Sequence, residues 1–424
     1  MRDWDFSPPP PSELGDREVP LDGEYLLGRR VALLVTGGIA AFKAPLVARA
    51  LRKQGAEVTA FLSAEGARYV AREALEWATT RPVVTFLTPA AEHLSDEQPF
   101  DAYLVAPATY NTINKIAGGI ADSTVTSAVA SALGRLAGGT TTVLVAPTMH
   151  GSLHNPILTA SLERLAGLGV RIVPPREDYG KHNLPDEAAL VAEVCRAVSR
   201  SPLAGRRLLV TGGPTPVPVD SVRRITNRFR GRLGGEIAAD LHLRGAETTL
   251  VLGDGGYQPP DWLWVRPAAT FDEYRDGVLD ELSSGDWSAA IFSAAVADYR
   301  PRQVLAGKTP SGGALASLEL VPTEKVIELV RHRHPDLYMV TFKYQEDVSH
   351  DDLMTVGQER LERLGGRGAV IANRGEETGP AGEQVAWLVT EDAEPVRAVG
   401  KGTIARLIAD HLERQAAAGK LGSA

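Results

Sequence analysis

One cysteine in 424 residues, Cys195, excludes a disulfide within the chain and a thiolate zinc site. It lies in Leu190–Val198, on the apolar side of a helical pattern, which reads as a buried, inert thiol. No apolar run approaches the roughly 18 residues that a membrane span requires, so no membrane partner is expected. The start, Met1 to Asp16, is acidic and carries the run Pro8–Pro11. It has neither the basic residues nor the apolar core of a secretory signal, and a cytoplasmic location is expected. There is no basic excess either: 45 Lys and Arg against 53 Asp and Glu give a net charge of −8. That argues against a nucleic-acid partner but leaves room for a local basic pocket that holds phosphates.

What is present is an ordinary globular composition, 44% hydrophobic and 23% charged. The length is too great for one ordinary core and fits two domains. Two segments open alike, Arg29-Arg30-Val31-Ala32-Leu33-Leu34-Val35-Thr36-Gly37-Gly38 and Arg206-Arg207-Leu208-Leu209-Val210-Thr211-Gly212-Gly213. Each is an apolar run of buried-strand length that ends in glycines, as the first strand of a doubly wound domain does. A helical pattern and a second strand follow in both halves: Ala44–Lys53 then Gly55–Leu62, and Glu236–Leu243 then Gly245–Leu252. Further strands are expected at Ala102–Ala106, Thr141–Ala146, Ala289–Ser293, Tyr338–Phe342 and Ala369–Ala372. The fold class is therefore α/β, with two doubly wound parallel-sheet domains. Ser199–Gly205 reads as the boundary, which gives domains at 28–198 and 205–416 and loosely ordered tails at 1–27 and 417–424.

A glycine turn after a strand presents backbone N–H groups and a helix N-terminus to a phosphate. Gly37-Gly38 alone fits a plain tight turn equally well. Small and hydroxyl residues in Ala106-Pro107-Ala108-Thr109-Tyr110-Asn111-Thr112, at the carboxyl end of another strand, suit a ligand cradle. With Thr36–Lys43, Gly118–Asp122 and Ala146-Pro147-Thr148-Met149-His150 in the same order, residues 29–185 resemble the homo-oligomeric flavin-containing cysteine decarboxylases. The resemblance implies a flavodoxin-like domain that binds FMN through Gly37, Gly38, Ile39, Ala40, Ser63, Pro107, Ala108, Thr109 and Asn111. It implies catalytic roles for His93 and His150, and substrate contacts from Met149 and from a flap containing Gly180 and Lys181. Most bacterial members have asparagine at the place of His150 and a flap cysteine that this chain lacks. The archaeal-type fused enzymes, with a Pro-x-Met-His motif and a Gly-Lys flap, are more similar.

In the second half, Thr211-Gly212-Gly213-Pro214-Thr215 is followed by Asp220-Ser221-Val222-Arg223-Arg224-Ile225-Thr226-Asn227 and then by Gly231 and Gly234. Ser293–Arg300 reads as an apolar strand that ends in Asp298, and Lys308 follows in a Gly-Lys turn. Thr341–Glu346 and Val370–Asn373 complete the set. Residues 206–373 thereby resemble the phosphopantothenate–cysteine ligases, a Rossmann-like domain. The resemblance implies an acyl-nucleotidylate mechanism with catalytic Asn227, Arg223 and Lys308, and CTP contacts from Gly212, Gly213, Asp298, Lys308, Phe342 and Lys343. Mg²⁺ is implied with the nucleotide, and no residues are assigned to it. Where the family has Ser-Ser-Gly-Lys-Met-Gly, this chain has Phe229-Arg230-Gly231-Arg232-Leu233-Gly234. Its two added arginines are candidate anion donors.

The joint resemblance is to the bifunctional phosphopantothenoylcysteine decarboxylase and phosphopantothenate–cysteine ligase family of coenzyme A biosynthesis. It implies 4′-phosphopantothenate, cysteine and CTP as partners, and a dodecamer built from trimeric flavin domains and dimeric ligase domains. Three other readings stay open at this point: a ligase with a degenerate flavin domain, a flavoenzyme for another cysteinyl substrate, and a non-catalytic regulatory subunit. A nicotinamide dehydrogenase is disfavoured, because neither glycine turn completes a G-x-G-x-x-G spacing.

Overall fold

The computed structural model describes residues 5–94, 98–309 and 318–422, which form two units, Met1–Val198 and Ser199–Ala424. The first unit contains β1 (Arg30–Val35), α1 (Ala44–Arg52), β2 (Glu57–Leu62), α2 (Arg72–Thr79), β3 (Ala102–Ala108), α3 (Tyr110–Ala117), α4 (Thr124–Leu136) and β4 (Thr142–Pro147). It continues through β5 (Met149–His150), α5 (Pro156–Gly167), β6 (Arg171–Ile172), β7 (Arg176–Asp178), β8 (Lys181–Asn183) and α6 (Glu187–Val198).

β3 is buried at every position and β1 at all but its first, as strands covered by helices on both faces must be. α1 buries Ala44, Val47, Ala48 and Leu51, one face of a 3.6-residue repeat. α4 starts where Ser123 and Thr126 form a reciprocal capping box. The five-stranded sheet has the order β2-β1-β3-β4-β6, the doubly wound flavodoxin-like arrangement. Its switch point lies between β1 and β3, both parallel. A separate three-stranded sheet, β5-β8-β7, stands just past the end of β4. Cys195 on α6 is buried, and burial pushes its thiol up to about 12, so it stays protonated at neutral pH.

The second unit contains β9 (Arg207–Gly212), β10 (Val217–Pro218), β11 (Arg224–Ile225), α7 (Arg232–Leu243), β12 (Glu247–Gly253), β13 (Trp264–Ala268), α8 (Phe271–Ser283), β14 (Ala289–Phe292), β15 (Tyr299–Pro301) and β16 (Leu320–Pro322). α9 (Val326–Arg333), β17 (Tyr338–Gln345), α10 (His350–Glu362), β18 (Gly368–Arg374), β19 (Val385–Val389), β20 (Val396–Val399) and α11 (Lys401–Ala417) follow. Its eight-stranded sheet runs β13-β12-β9-β14-β17-β18-β19-β20. The first six are parallel in the Rossmann order, and β19 and β20 add antiparallel pairs at one edge. Successive residues of β9 alternate between two cores: Leu208 and Val210 pack under α7 and α11, while Leu209 packs with Phe271, Tyr274 and Val278 of α8. β14, β17 and β18 alternate in the same way, which makes a three-layer sandwich.

The structure differs from the sequence expectations in three places. α7 begins at Arg232 rather than Glu236, because Gly231 at φ +98° turns the chain directly into the helix. β14 ends at Phe292, so Ser293–Asp298 is a loop and not the end of a strand. The segments expected to be loose are in part fixed. Leu26 is buried and donates its N–H to the Gln54 carbonyl, and Leu421 is buried in the second unit's core. Among the described residues, no helix is long and apolar enough to cross a membrane.

His411 on α11 is buried against Tyr338, with 2.6 Å between Nε2 and the phenol oxygen. Burial pushes the imidazole down to about 4. An unfolded histidine near 6.5 takes up its proton first as the pH falls, so His411 stabilises the fold above that value. Its contribution declines as the pH drops from about 6.5 to the folded value of about 4. Denaturant unfolding between those limits is expected to show falling stability, with a shallower fall in His411→Gln.

Candidate functional site

A cavity of about 740 Å³ opens at the carboxyl edge of the first unit's sheet, at the β1/β3 switch point. Volumes of 300–1,000 Å³ are usual for a small-molecule or cofactor site. Four strand ends build its wall: Thr36–Ala40 after β1, Ser63–Glu65 after β2, Thr109–Thr112 after β3 and Thr148–His150 after β4, with Lys181–Asn183 of β8 closing one side. A Cβ on Gly37 would lie 2.4 Å from the Glu65 Cβ, so this turn admits only glycine. Thr36 Oγ1 donates to the Pro107 carbonyl at 2.6 Å and ties the turn to β3. The N-terminus of α3 is capped by Thr109 and that of α4 by Ser123, and both caps reach the cavity. Backbone donors at two helix starts suit an anionic ligand.

Of the residues implied for the cofactor, Gly37, Gly38, Ile39, Ala40, Ser63, Thr109 and Asn111 line this cavity, as do Met149, His150 and Lys181. Pro107 and Ala108 are buried in β3 behind the wall and do not line it, and Gly180 lies in the turn before β8. His93 also lies outside the lining. It sits in a turn ahead of β3, with a buried Nδ1 that has no hydrogen-bond partner among the described residues. His150 Nδ1 accepts the Ser152 backbone N–H at 3.3 Å, which puts the ring hydrogen on Nε2.

Two histidines that the sequence reading passed over stand at the same place. His182 lines the cavity, and its Nε2 lies 2.7 Å from Nδ1 of the exposed His154. They are 28 residues apart, and only the pairing of β8 with β5 and the turn after β5 bring them together. Nothing in the linear pattern marks this pair.

In the second unit, Gly212 ends β9, Phe342 and Lys343 lie in β17, and the other implied residues are on loops. Asp220 is buried and accepts from the backbone N–H groups of Val222 and Arg223 at 2.8 and 2.7 Å and of Thr309 at 3.2 Å. Those donors hold its carboxyl well below the usual carboxylate range. Arg223 pairs with Asp220 at 2.7 Å and donates to the Thr309 carbonyl at 3.1 Å, which fixes the loop that carries the exposed Lys308. Asn227 Nδ2 donates to the carbonyls of Ala295 and Val296 at 2.8 and 3.3 Å and clasps its own loop to the Ser293–Asp298 loop. Asp298 is paired with Lys325 at 2.5 Å rather than with Lys308. Phe342 packs on the core, and Tyr344 meets Phe229 edge to face at 6.2 Å. Of the two added arginines, Arg232 is held by Glu236 at 2.6 Å. Among the described residues there is no cluster of three or more His, Cys, Asp or Glu that could hold a metal ion.

Close backbone contact shapes the carboxyl edge of the sheet. A Cβ on Gly213 would lie 2.6 Å from the Gly253 carbonyl, and one on Gly234 would lie 2.8 Å from the Gly212 Cα. α7 therefore starts hard against the glycine turn, and Gly231 caps it with no side chain. Its first N–H groups are left for an anion.

Together these features define a two-domain protein with a flavodoxin-like cofactor cavity in one unit and a Rossmann-like sheet with a glycine-built edge in the other. Residues 23–199 match the flavoprotein family, and residues 203–415 match the C-terminal domain of the DNA/pantothenate metabolism flavoproteins. The chain is 33% identical over 395 residues to the coenzyme A biosynthesis bifunctional protein CoaBC of Thermococcus kodakarensis, with 92% of this chain and 96% of that protein covered. It is 29% identical over 342 residues to the CoaBC of Bacillus subtilis, covering 77% and 82%. A crystal structure of the C-terminal domain of a CoaBC protein aligns with 51% of this chain and 97% of its own, at 24% identity and a TM-score of 0.42. The chain belongs to the CoaBC family.

Gly234→Ala is expected to destabilise the second unit by ~1–3 kcal/mol through overpacking. Gly134→Ala, inside α4 with nothing within 4 Å of the new Cβ, is expected to stabilise by about 0.5–1 kcal/mol. Urea unfolding of both variants checks the opposite signs.

Proposed function

We propose that this chain is a cytoplasmic bifunctional enzyme of coenzyme A biosynthesis. Its second unit joins 4′-phosphopantothenate to cysteine with CTP, through an acyl cytidylate, and its first unit decarboxylates the product to 4′-phosphopantetheine with FMN. The observation that carries the reading is the 740 Å³ cavity at the β1/β3 switch point, in a chain whose relatives are named coenzyme A biosynthesis bifunctional proteins.

The cavity fits FMN in its volume, its bare glycine turn and its two helix starts. Gly37, Gly38, Ile39, Ala40, Ser63, Thr109 and Asn111 would hold the cofactor, with Pro107 and Ala108 setting the turn from behind. Bound FMN would supply a two-electron acceptor for the cysteinyl thiol. His150 offers an Nε2 hydrogen to the substrate, Met149 supplies an apolar wall, and Lys181, next to Gly180, offers a cation to its anionic end. His93 lies outside its own chain's cavity, so its catalytic role rests on assembly into a homo-oligomer in which it reaches a neighbouring copy.

In the ligase unit, the α7 N-terminus and the Gly212-Gly213 turn would receive the nucleotide phosphates, with Mg²⁺ arriving on the nucleotide. Lys308, on a loop pinned by Arg223, would add a cation, and Asp298 would meet the base once released from Lys325. Phe342 and Lys343 would border the nucleotide. Asn227 spends both amide hydrogens on its clasp, so meeting an acyl phosphate requires it to give up one carbonyl. That exchange couples closure of the loop to formation of the intermediate.

Asn227→Ala is expected to lower pyrophosphate release from CTP, in the presence of 4′-phosphopantothenate and cysteine, by ~10²-fold or more. CO₂ release from supplied phosphopantothenoylcysteine should be unchanged. Loss of neither activity, or equal loss of both, contradicts the assignment of the two reactions to separate units.

A further inference from the structure

Asp298 stands beside Lys325, with Nζ 2.5 Å from Oδ1, and the two side chains are 68% and 57% exposed. An ion pair so open to water adds little to stability. The backbone beneath it is nevertheless held firmly. Thr323 donates its N–H to the Asp298 carbonyl at 2.9 Å and its hydroxyl to the Ala297 carbonyl at 2.5 Å, while the Ala297 N–H goes to Thr215 Oγ1 at 2.8 Å. β15 and β16 pair antiparallel directly after Asp298 and directly before Thr323. Among the described residues neither side chain has another ion-pair partner. Neighbouring Glu324 turns instead to Arg275 and Arg300, at 3.4 and 3.7 Å. A fixed backbone under exposed polar side chains is what a recognition element requires.

The pair also stands on the path that a nucleotide would follow out of the glycine turn. Ala295 donates its N–H to the Gly213 carbonyl at 2.9 Å, and Asn227 holds the carbonyls of Ala295 and Val296. The 293–298 loop therefore leaves the turn and passes Asn227 before it reaches Asp298, and the three steps from Ala295 span at most about 11 Å. Ala294-Ala295-Val296-Ala297 carries no polar side chain, so Asp298 is the first residue of the loop past Ser293 that can read a base edge. We propose that Asp298 and Lys325 form a base-reading pair, with Lys325 the residue that sets nucleotide specificity. The inference rests on the ligase reading above. Cytosine presents an N4 amino donor beside the N3 and O2 acceptors, which matches a carboxylate beside an ammonium. As the base arrives, Nζ passes from Oδ1 to N3 and O2 and the carboxylate takes the N4 hydrogen in its place, so neither charge loses its partner. Uracil reverses two of these groups: O4 faces the carboxylate and N3–H faces the ammonium, acceptor against acceptor and donor against donor. Adenine keeps the order of cytosine at N6 and N1, so the pair separates amino bases from keto bases and leaves the choice between CTP and ATP to other contacts.

The test measures pyrophosphate release by the full chain with 4′-phosphopantothenate, cysteine and Mg²⁺, supplied with CTP, UTP, ATP or GTP, for the wild type, Lys325→Gln, Lys325→Arg and Asp298→Asn. Calorimetric titration of CTP and UTP without 4′-phosphopantothenate follows binding apart from turnover. The wild type should favour CTP over UTP. The amides of the Gln and Asn variants can each turn to present a donor or an acceptor, so Lys325→Gln and Asp298→Asn should each lower the CTP-to-UTP ratio of kcat/KM by ~10-fold or more. The ratio of Kd values should move in the same sense, and Lys325→Arg, which keeps a charged donor, should retain the preference. Unfolding midpoints of the variants should stay near that of the wild type, as an exposed pair allows. A wild-type CTP-to-UTP ratio in Lys325→Gln overturns the proposal, as does an equal loss of turnover with both nucleotides, a large fall in the midpoint, or a wild type indifferent to the base. If ATP proves the better substrate, the ATP-to-GTP ratio carries the same prediction, so the assignment of CTP can fail while the pair stands. If the wild type releases no pyrophosphate from any of the four, the ligase reading fails and the proposal falls with it.

Discussion

Close approach of backbone to backbone at the carboxyl edge of each sheet is the constraint on which both sites depend. In the second unit a Cβ on Gly253 would lie 1.7 Å from the Pro214 carbonyl, and in the first a Cβ on Gly37 would lie 2.4 Å from the Glu65 Cβ. No side chain fits these gaps, so backbone N–H groups and helix starts are what the strand ends present. The parallel sheets fix where the gaps fall. Both faces of β1 and β9 are covered, and the strand order reverses beside each of them, opening a crevice at their ends.

On that frame, loops are held by a few charged or amide clasps rather than by packing. Asp220 gathers three backbone donors and Arg223, which ties the loop bearing Lys308 to the loop that leads to Asn227. Asn227 then ties that second loop to the one bearing Asp298. The same economy shapes the first unit, where the small β5-β8-β7 sheet sets Lys181, His182 and Asn183 on the cavity wall. Loops fixed at one or two points can close on a ligand and still release a product, which suits a chain of two successive reactions.

The frame was legible because buried parallel strands are continuous apolar runs. Ala102–Ala106, Tyr338–Phe342 and Ala369–Ala372 stand within the observed β3, β17 and β18. Helix starts made of glycine were harder to see, and Leu233-Gly234-Gly235 hid the first turn of α7. The Ser293–Asp298 segment reads as a strand from its apolar residues. Hydrogen bonds from Ala294 and Ala297 to Thr211 and Thr215 hold it as a loop instead. Motif order led to much of the cavity wall, yet His93, Pro107, Ala108 and Gly180 do not line it. The His154–His182 contact depends on strand pairing across 28 positions, which local spacing does not encode.

The central claim is that one chain performs two reactions in sequence, the second consuming the product of the first. The direct measurement is a single incubation of the purified chain with 4′-phosphopantothenate, cysteine, CTP, Mg²⁺ and FMN, with products identified by mass spectrometry. The account predicts pyrophosphate, CO₂ and 4′-phosphopantetheine. Accumulation of phosphopantothenoylcysteine without CO₂, or no turnover at all, would contradict it.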